Sequence, residues 1–197
     1  NEIEHFDFNQ MNDFDQTRLP KIVMIGSYNS GKTTLVNKLV DRYNYSIPVN
    51  TVAFDTFGLI CKKANNESFC AMLVDTSGTE RYRSLIKSTL RDADLAIIMF
   101  DLNNIQSFIE VDEWISFFRE QNGFAKLMII GNKNDLEKLI RNNDAYEKAD
   151  QYDAPYHEIS AKNGDNIGSV YRDICQILMN INSHFCQRNN NIDINTE

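Results

Sequence analysis

The stretch Gly26-Ser27-Tyr28-Asn29-Ser30-Gly31-Lys32-Thr33 has the form GxxxxGK[ST]. It lies between an apolar run at 22–25 and a segment, 31–42, that puts Leu35, Val36, Leu39 and Val40 on one side. A buried strand that turns through glycines into the first turn of a helix leaves little choice of fold. The glycines let the backbone curl until its N–H groups face a common point at the positive end of the helix. Such a loop holds a phosphate anion. Gly26, Asn29, Ser30, Gly31, Lys32, Thr33 and Thr34 are therefore the candidate phosphate-binding residues. Lys32 is spaced to reach β- and γ-phosphates, and the Thr33 hydroxyl to ligate Mg²⁺.

The rest of the chain alternates short apolar runs with amphipathic segments. Strands are expected at 22–25, 52–61, 69–74, 95–100, 127–130 and 156–159. Helices are expected at 31–42, 105–121, 144–152 and 165–184. The last carries Ile167, Val170, Tyr171, Ile174, Ile177, Leu178 and Ile181 as one stripe. This alternation predicts an α/β fold with a mostly parallel, six-stranded sheet and helices on both faces. Residues 1–19 read as a loose acidic arm, 20–184 as the folded domain, and 185–197 as an Asn-rich disordered tail. The start at Asn1 rather than methionine is what a piece of a longer chain would give.

A phosphate loop alone does not choose a base. Asn132-Lys133-Asn134-Asp135 does, because it follows the predicted strand at 127–130. Guanine offers N1–H and N2–H₂ on one edge, and the Asp135 carboxylate accepts both. Adenine offers an acceptor at N1 and no N2 amine, so it would leave that carboxylate unpaired. Asn132 is expected to brace the loop, the Lys133 stem to cover the base, and Ser160-Ala161-Lys162 to complete the pocket.

Composition narrows the remaining choices. Net charge is −8, which disfavours a nucleic-acid-binding role. The four cysteines form no CxxC or Cys/His cluster, so a zinc site is not expected. The longest apolar runs are too short to cross a bilayer. A two-residue turn at Asn65-Asn66 would set Cys61 opposite Cys70, either as a cross-strand disulfide or as two reduced thiols.

With the phosphate loop, Thr51, Asp75-Thr76-Ser77-Gly78, Asn132–Asp135 and Ser160–Lys162 in order, the chain resembles the Ras-superfamily small GTPases over about residues 20–184. Thr51 lies 18 residues after Thr33, the spacing of that family. The resemblance implies a P-loop NTPase G domain that binds GTP or GDP with Mg²⁺ and hydrolyses GTP. It implies that Thr51, in switch I, adds its hydroxyl to Mg²⁺ and its N–H to the γ-phosphate. It implies that Asp75 holds Mg²⁺ through water and that the Gly78 N–H meets the γ-phosphate. Effectors, an exchange factor and an activating protein would read the switch loops, at the periphery of endomembranes in the cytoplasm. The segments 51–55, 80–83 and 93–94 look most like the Rab branch. Val74, Ala53 and Thr56 depart from it, and no CaaX box or paired terminal cysteines close the chain.

Three departures fall on functional positions. Thr79 stands where most relatives place the Gln that orients the attacking water, so intrinsic hydrolysis should be slow. Tyr28 replaces a small residue and either crowds the γ-phosphate edge or turns out to solvent. Asn44 stands where an aromatic usually covers guanine, and Tyr43 or Tyr45 would substitute by a one-residue slip. The alternatives are a G domain that holds one nucleotide without turnover, and a P-loop kinase or ATPase. Nucleotide released from the denatured protein should be guanine nucleotide, and Asp135→Asn should weaken GDP binding by about a hundredfold or more. Released ADP or ATP would favour the kinase or ATPase instead.

Overall fold

The computed structural model describes residues 18–43, 54–62, 68–78 and 83–190. The elements run β1 (Lys21–Gly26), α1 (Lys32–Tyr43), β2 (Phe54–Lys62), β3 (Ser68–Thr76), α2 (Arg83–Leu90), β4 (Leu95–Asp101), α3 (Ile105–Gln121), β5 (Lys126–Asn132), α4 (Asn142–Gln151), β6 (Tyr156–Glu158) and α5 (Ile167–Asn190). The six strands form one sheet in the order β2-β3-β1-β4-β5-β6. Only β2 is antiparallel, to β3; every other neighbouring pair is parallel. The expected α/β architecture is therefore present.

Each apolar run has a physical reason to be a strand. β1 is buried at every residue because helices cover both faces of the sheet. Ile22 and Met24 point into one core with Leu35, Leu39, Ile174 and Leu178 from α1 and α5. Val23 and Ile25 point into the other, with Ile86, Leu90, Trp114 and Phe118 from α2 and α3. α2 had no counterpart in the sequence reading. It is eight residues long, and its buried Ile86 and Leu90 make only one turn of pattern. The last helix continues to Asn190, past the expected boundary at 184 and into the stretch read as a disordered tail. Of the expected arm at 1–19, residues 1–17 lie outside the described residues, as do residues 191–197.

The β2–β3 register corrects the expected pairing of Cys61 with Cys70. Cys61 faces Phe69, Ile60 faces Cys70 and Lys62 faces Ser68. The expected turn at Asn65-Asn66 itself lies outside the described residues. A one-residue shift moves a whole strand's side chains to the other face. The observed register puts Leu59, Cys61, Phe69, Ala71 and Leu73 together in the layer under α1 and α5. Burial of that set outweighs the local turn preference of Asn-Asn. Cys61, Cys70 and Cys175 are free thiols.

α3 is fixed at both ends. The Asn104 side chain accepts from the Ser107 amide at its start. At its end, Asn122 donates its side-chain amide to the Leu90, Arg91 and Ala93 carbonyls at 3.2, 3.1 and 2.8 Å. Its Oδ1 accepts from the Ala125 amide at 3.1 Å. This one side chain ties α2, α3 and the approach to β5. Asn122→Ala should cost about 2 kcal/mol in urea denaturation. The near-isosteric Asn122→Asp should cost at least as much, because a carboxylate would face carbonyl oxygens; a neutral result for Asp would contradict this role.

Candidate functional site

β1 ends between β3 and β4, so the chain diverges on either side of its C-terminal end. Crevices at that point of a parallel sheet are where ligands fit. Two adjoining clefts open there. One, of about 400 Å³, is lined by residues of 28–34 together with Phe54, Asp55 and Asp75–Gly78. The other, of about 200 Å³, is lined by Asn132, Lys133, Asp135, Leu136, Ala161 and Lys162. Asn29, Gly31 and Thr34 line both.

The phosphate loop runs from β1 into α1 with Asn29 at φ 58° and Gly31 at φ 94°. Gly31 has a second reason to lack a side chain, since a Cβ there would sit 2.2 Å from the Asn132 amide nitrogen. Lys32 folds back over the loop and donates from Nζ to the Gly26 carbonyl at 2.9 Å and the Ser27 carbonyl at 2.8 Å. Burial lowers its pKa to about 8, and the Asp75 carboxylate opposes that shift. Gly78 presses on the same group: a Cβ at 78 would lie 2.5 Å from Lys32 Nζ. The ammonium is thus held between the phosphate loop and the start of the segment that follows β3.

Thr33 donates from Oγ1 to Asp75 Oδ2 at 2.5 Å. Burial raises the Asp75 pKa, against the Thr33 hydrogen bond and the Lys32 charge, while Asp55 raises it further. Asp75 Oδ1 is buried and has no hydrogen-bond partner among the described residues. An orphaned buried carboxylate oxygen beside a hydroxyl is a donor set of hard oxygens, which suits Mg²⁺. The residues present fit the ion.

At the base side, Asn132 is buried and spans two loops. Its Nδ2 donates to the Ser30 carbonyl at 2.8 Å, and its Oδ1 accepts from the Ala161 amide at 2.9 Å. Asp135 Oδ1 accepts from Ser160 Oγ at 2.6 Å. That hydrogen bond leads the causes that lower the Asp135 pKa, with Lys162 and Lys133 adding positive charge. The carboxylate is exposed and ionised at the cleft wall. Lys133 adopts φ 65° and its Nζ pairs with Asp101 Oδ2 at 2.7 Å. This fixes the stem along the cleft.

Gly26, Asn29, Ser30, Gly31, Lys32, Thr33, Thr34, Asp75 and Gly78 therefore come together on one side, and Asn132, Lys133, Asp135, Ser160, Ala161 and Lys162 on the other. Tyr28 is at the rim with 75% of its surface exposed, so its ring is turned out to solvent. Tyr45, Thr51 and Thr79 lie outside the described residues, as does Asn44. Sequence reading missed four participants. Asp55 and Leu136 line the clefts, Asp101 anchors Lys133, and Glu110 of α3 accepts from Ser27 Oγ at 2.6 Å. Asp55 had no signal, because it faces Asp75 only in the observed β2–β3 register, not in the expected one. Glu110 had none, because its contact depends on how α3 packs on the loop.

The Ras family model matches residues 21–180 of the chain. Ras-related protein Rab-27A from Rattus norvegicus is 32% identical over 183 residues, covering 86% of this chain and 82% of that protein. The Homo sapiens and Sus scrofa proteins of the same name are each 31% identical, over the same shares. A match over the whole folded domain, on a sheet whose strand ends converge on a phosphate loop and a guanine-type loop, settles the kinship: the chain belongs to the Ras family as a Rab-like small GTP-binding protein.

Proposed function

We propose that this chain holds GTP or GDP with Mg²⁺ across the two adjoining clefts, hydrolyses GTP slowly, and acts as a switch in vesicle traffic. The observation that carries the reading is the convergence of the Lys32 ammonium, the Thr33–Asp75 pair and the Asp135 carboxylate around one buried amide, Asn132. In this reading the loop amides and Lys32 take the phosphates, and Asp135 takes the guanine N1–H and N2–H₂. Thr33, Asp75 and, from switch I, Thr51 hold the ion, which when bound neutralises phosphate charge. The Gly78 N–H takes the γ-phosphate. Loss of that phosphate releases the segments containing Thr51 and Thr79 from their contacts, and effectors, an exchange factor and an activating protein read that change.

Thr79 is too short to present the paired donor and acceptor that align a water with the scissile bond. Single-turnover hydrolysis should run on the order of 10⁻⁵ per second, and Thr79→Gln should raise it about tenfold. If both proteins leave GTP intact for many hours, the enzymatic reading fails and a non-hydrolysing guanine-nucleotide platform takes its place.

Asn132→Ala would leave the Ser30 carbonyl and the Ala161 amide unpaired at once. Release of a fluorescent GDP analogue should then accelerate about tenfold or more, from a loss of roughly 1–3 kcal/mol. An unchanged off-rate would mean that the two clefts are braced by something else.

A further inference from the structure

Ser27 is the first residue past β1, whose pairing with β4 ends at Gly26. The sheet therefore fixes the Gly26 peptide, and the next one needs another anchor. The Ser27 hydroxyl supplies it by donating to Glu110 Oε2 of α3 at 2.6 Å. The Ser27 carbonyl accepts from Lys32 Nζ at 2.8 Å and from the Ser30 amide at 3.3 Å. One residue thus joins α3, through its side chain, to the ammonium of the phosphate loop, through its backbone. Gly78 presses on the same peptide, since a Cβ at 78 would lie 2.8 Å from the Ser27 carbonyl carbon. Glu110 itself stands on a fixed platform. Ser107, one turn earlier, accepts from the Asp101 amide at 3.0 Å and donates to the Asn104 carbonyl at 2.7 Å. Val111 and Trp114, which follow, are buried with Val23 and Ile25 of β1. The second carboxylate oxygen of Glu110 accepts from Gln106 Nε2 at 3.3 Å.

We propose that Glu110 is a positioning residue for nucleotide binding: it holds the Ser27 peptide so that the Ser27 carbonyl places the Lys32 ammonium against the phosphates. The inference rests on the reading of the two clefts as a GTP or GDP site. A lysine stem is flexible, and its end is located only by the groups that accept from it. Here these are two consecutive carbonyls, one held by the sheet and the other by α3. Ser27 is 5% exposed, so its hydroxyl cannot simply turn to water when its acceptor is removed. The peptide then shifts, and the Lys32 acceptor shifts with it. Misplacement of a binding group by a fraction of an ångström is enough to weaken a ligand held by directed contacts. What the site needs from Glu110 is an acceptor and not a charge, because a carboxylate near a phosphate site adds repulsion of the anion. Glutamine keeps the acceptor and drops the charge. Alanine removes both, and so separates the two contributions.

The test is the release rate of a fluorescent GDP analogue, with Mg²⁺ present, from the full chain. Glu110→Ala and Ser27→Ala should each speed release about fivefold or more. The double variant should release no faster than the faster single one, because both substitutions cut the same bond. Glu110→Gln should stay within about twofold of the unaltered protein. Asp112→Ala, on the same helix, removes the contacts of α3 with Lys148 and Tyr152 of the α4 region. It should lower the urea midpoint and leave GDP release unchanged. Unchanged release in Glu110→Ala, additive effects in the double variant, or Glu110→Gln as fast as Glu110→Ala would each overturn the proposal. Equal acceleration by Asp112→Ala would do so too, since it would trace the effect to a loosened helix. An unaltered chain that retains no GDP would be a different failure, one that removes the nucleotide reading and this inference with it.

Discussion

The Asn132 side chain is the joint on which both clefts turn. One amide reaches the phosphate loop through the Ser30 carbonyl and the base loop through the Ala161 amide, and its own backbone carbonyl accepts from Leu102 after β4. Three loops that are far apart in sequence are thereby held in one arrangement. The side chain is 3% exposed, so water does not compete for these bonds and each is expensive to leave unmade. The demand runs backwards into the sequence. Gly31 is glycine for its positive φ and also because Asn132 occupies the space that a Cβ would need.

What presents these loops to one another is the order of strands. β1 is central, with β3 on one side and β4 on the other, and it is apolar on both faces because helices cover both. The parallel register aligns the C-terminal ends of β1, β4 and β5, so Gly26, Asp101 and Asn132 arrive at one edge of the sheet. Asp101 and Asn132 are paired neighbours there, and Asp101 holds Lys133 by an ion pair. The two cores above and below the sheet thus serve the site by fixing where strands end.

The readable part of this molecule was the part governed by local chemistry. The apolar runs gave the six strands, and the stripes on α1, α3 and α5 gave the helices. Each of these signals is carried by residues a few positions apart. The phosphate loop and Asn132–Asp135 were legible for the same reason. The β2–β3 register was not, because the Asn65-Asn66 dipeptide suggested a tight turn while burial of Phe69, Ala71 and Leu73 with Leu59 and Cys61 decided the pairing. α2 was missed because eight residues show too little period. Glu110 and Asp101 were missed because their partners, Ser27 and Lys133, are distant in sequence. The sequence also left Tyr28 with two orientations, and the structure takes the solvent one.

The phosphate cleft holds two charges that folding has made uncomfortable. Burial lowers the Lys32 pKa and raises that of Asp75, so each is moved toward its neutral form. Their mutual attraction offsets only part of this, and Asp55 on the facing strand works against Asp75. A phosphate placed by Lys32 and a divalent cation placed by Asp75 would reverse both shifts together, because each supplies the opposite charge that its neighbour lacks. Anion and cation are therefore expected to bind with positive coupling, each raising the affinity of the site for the other. The arrangement makes this a property of the buried pair rather than of either residue. An exposed lysine and an exposed aspartate at the same spacing would be solvated already and would gain little from a ligand.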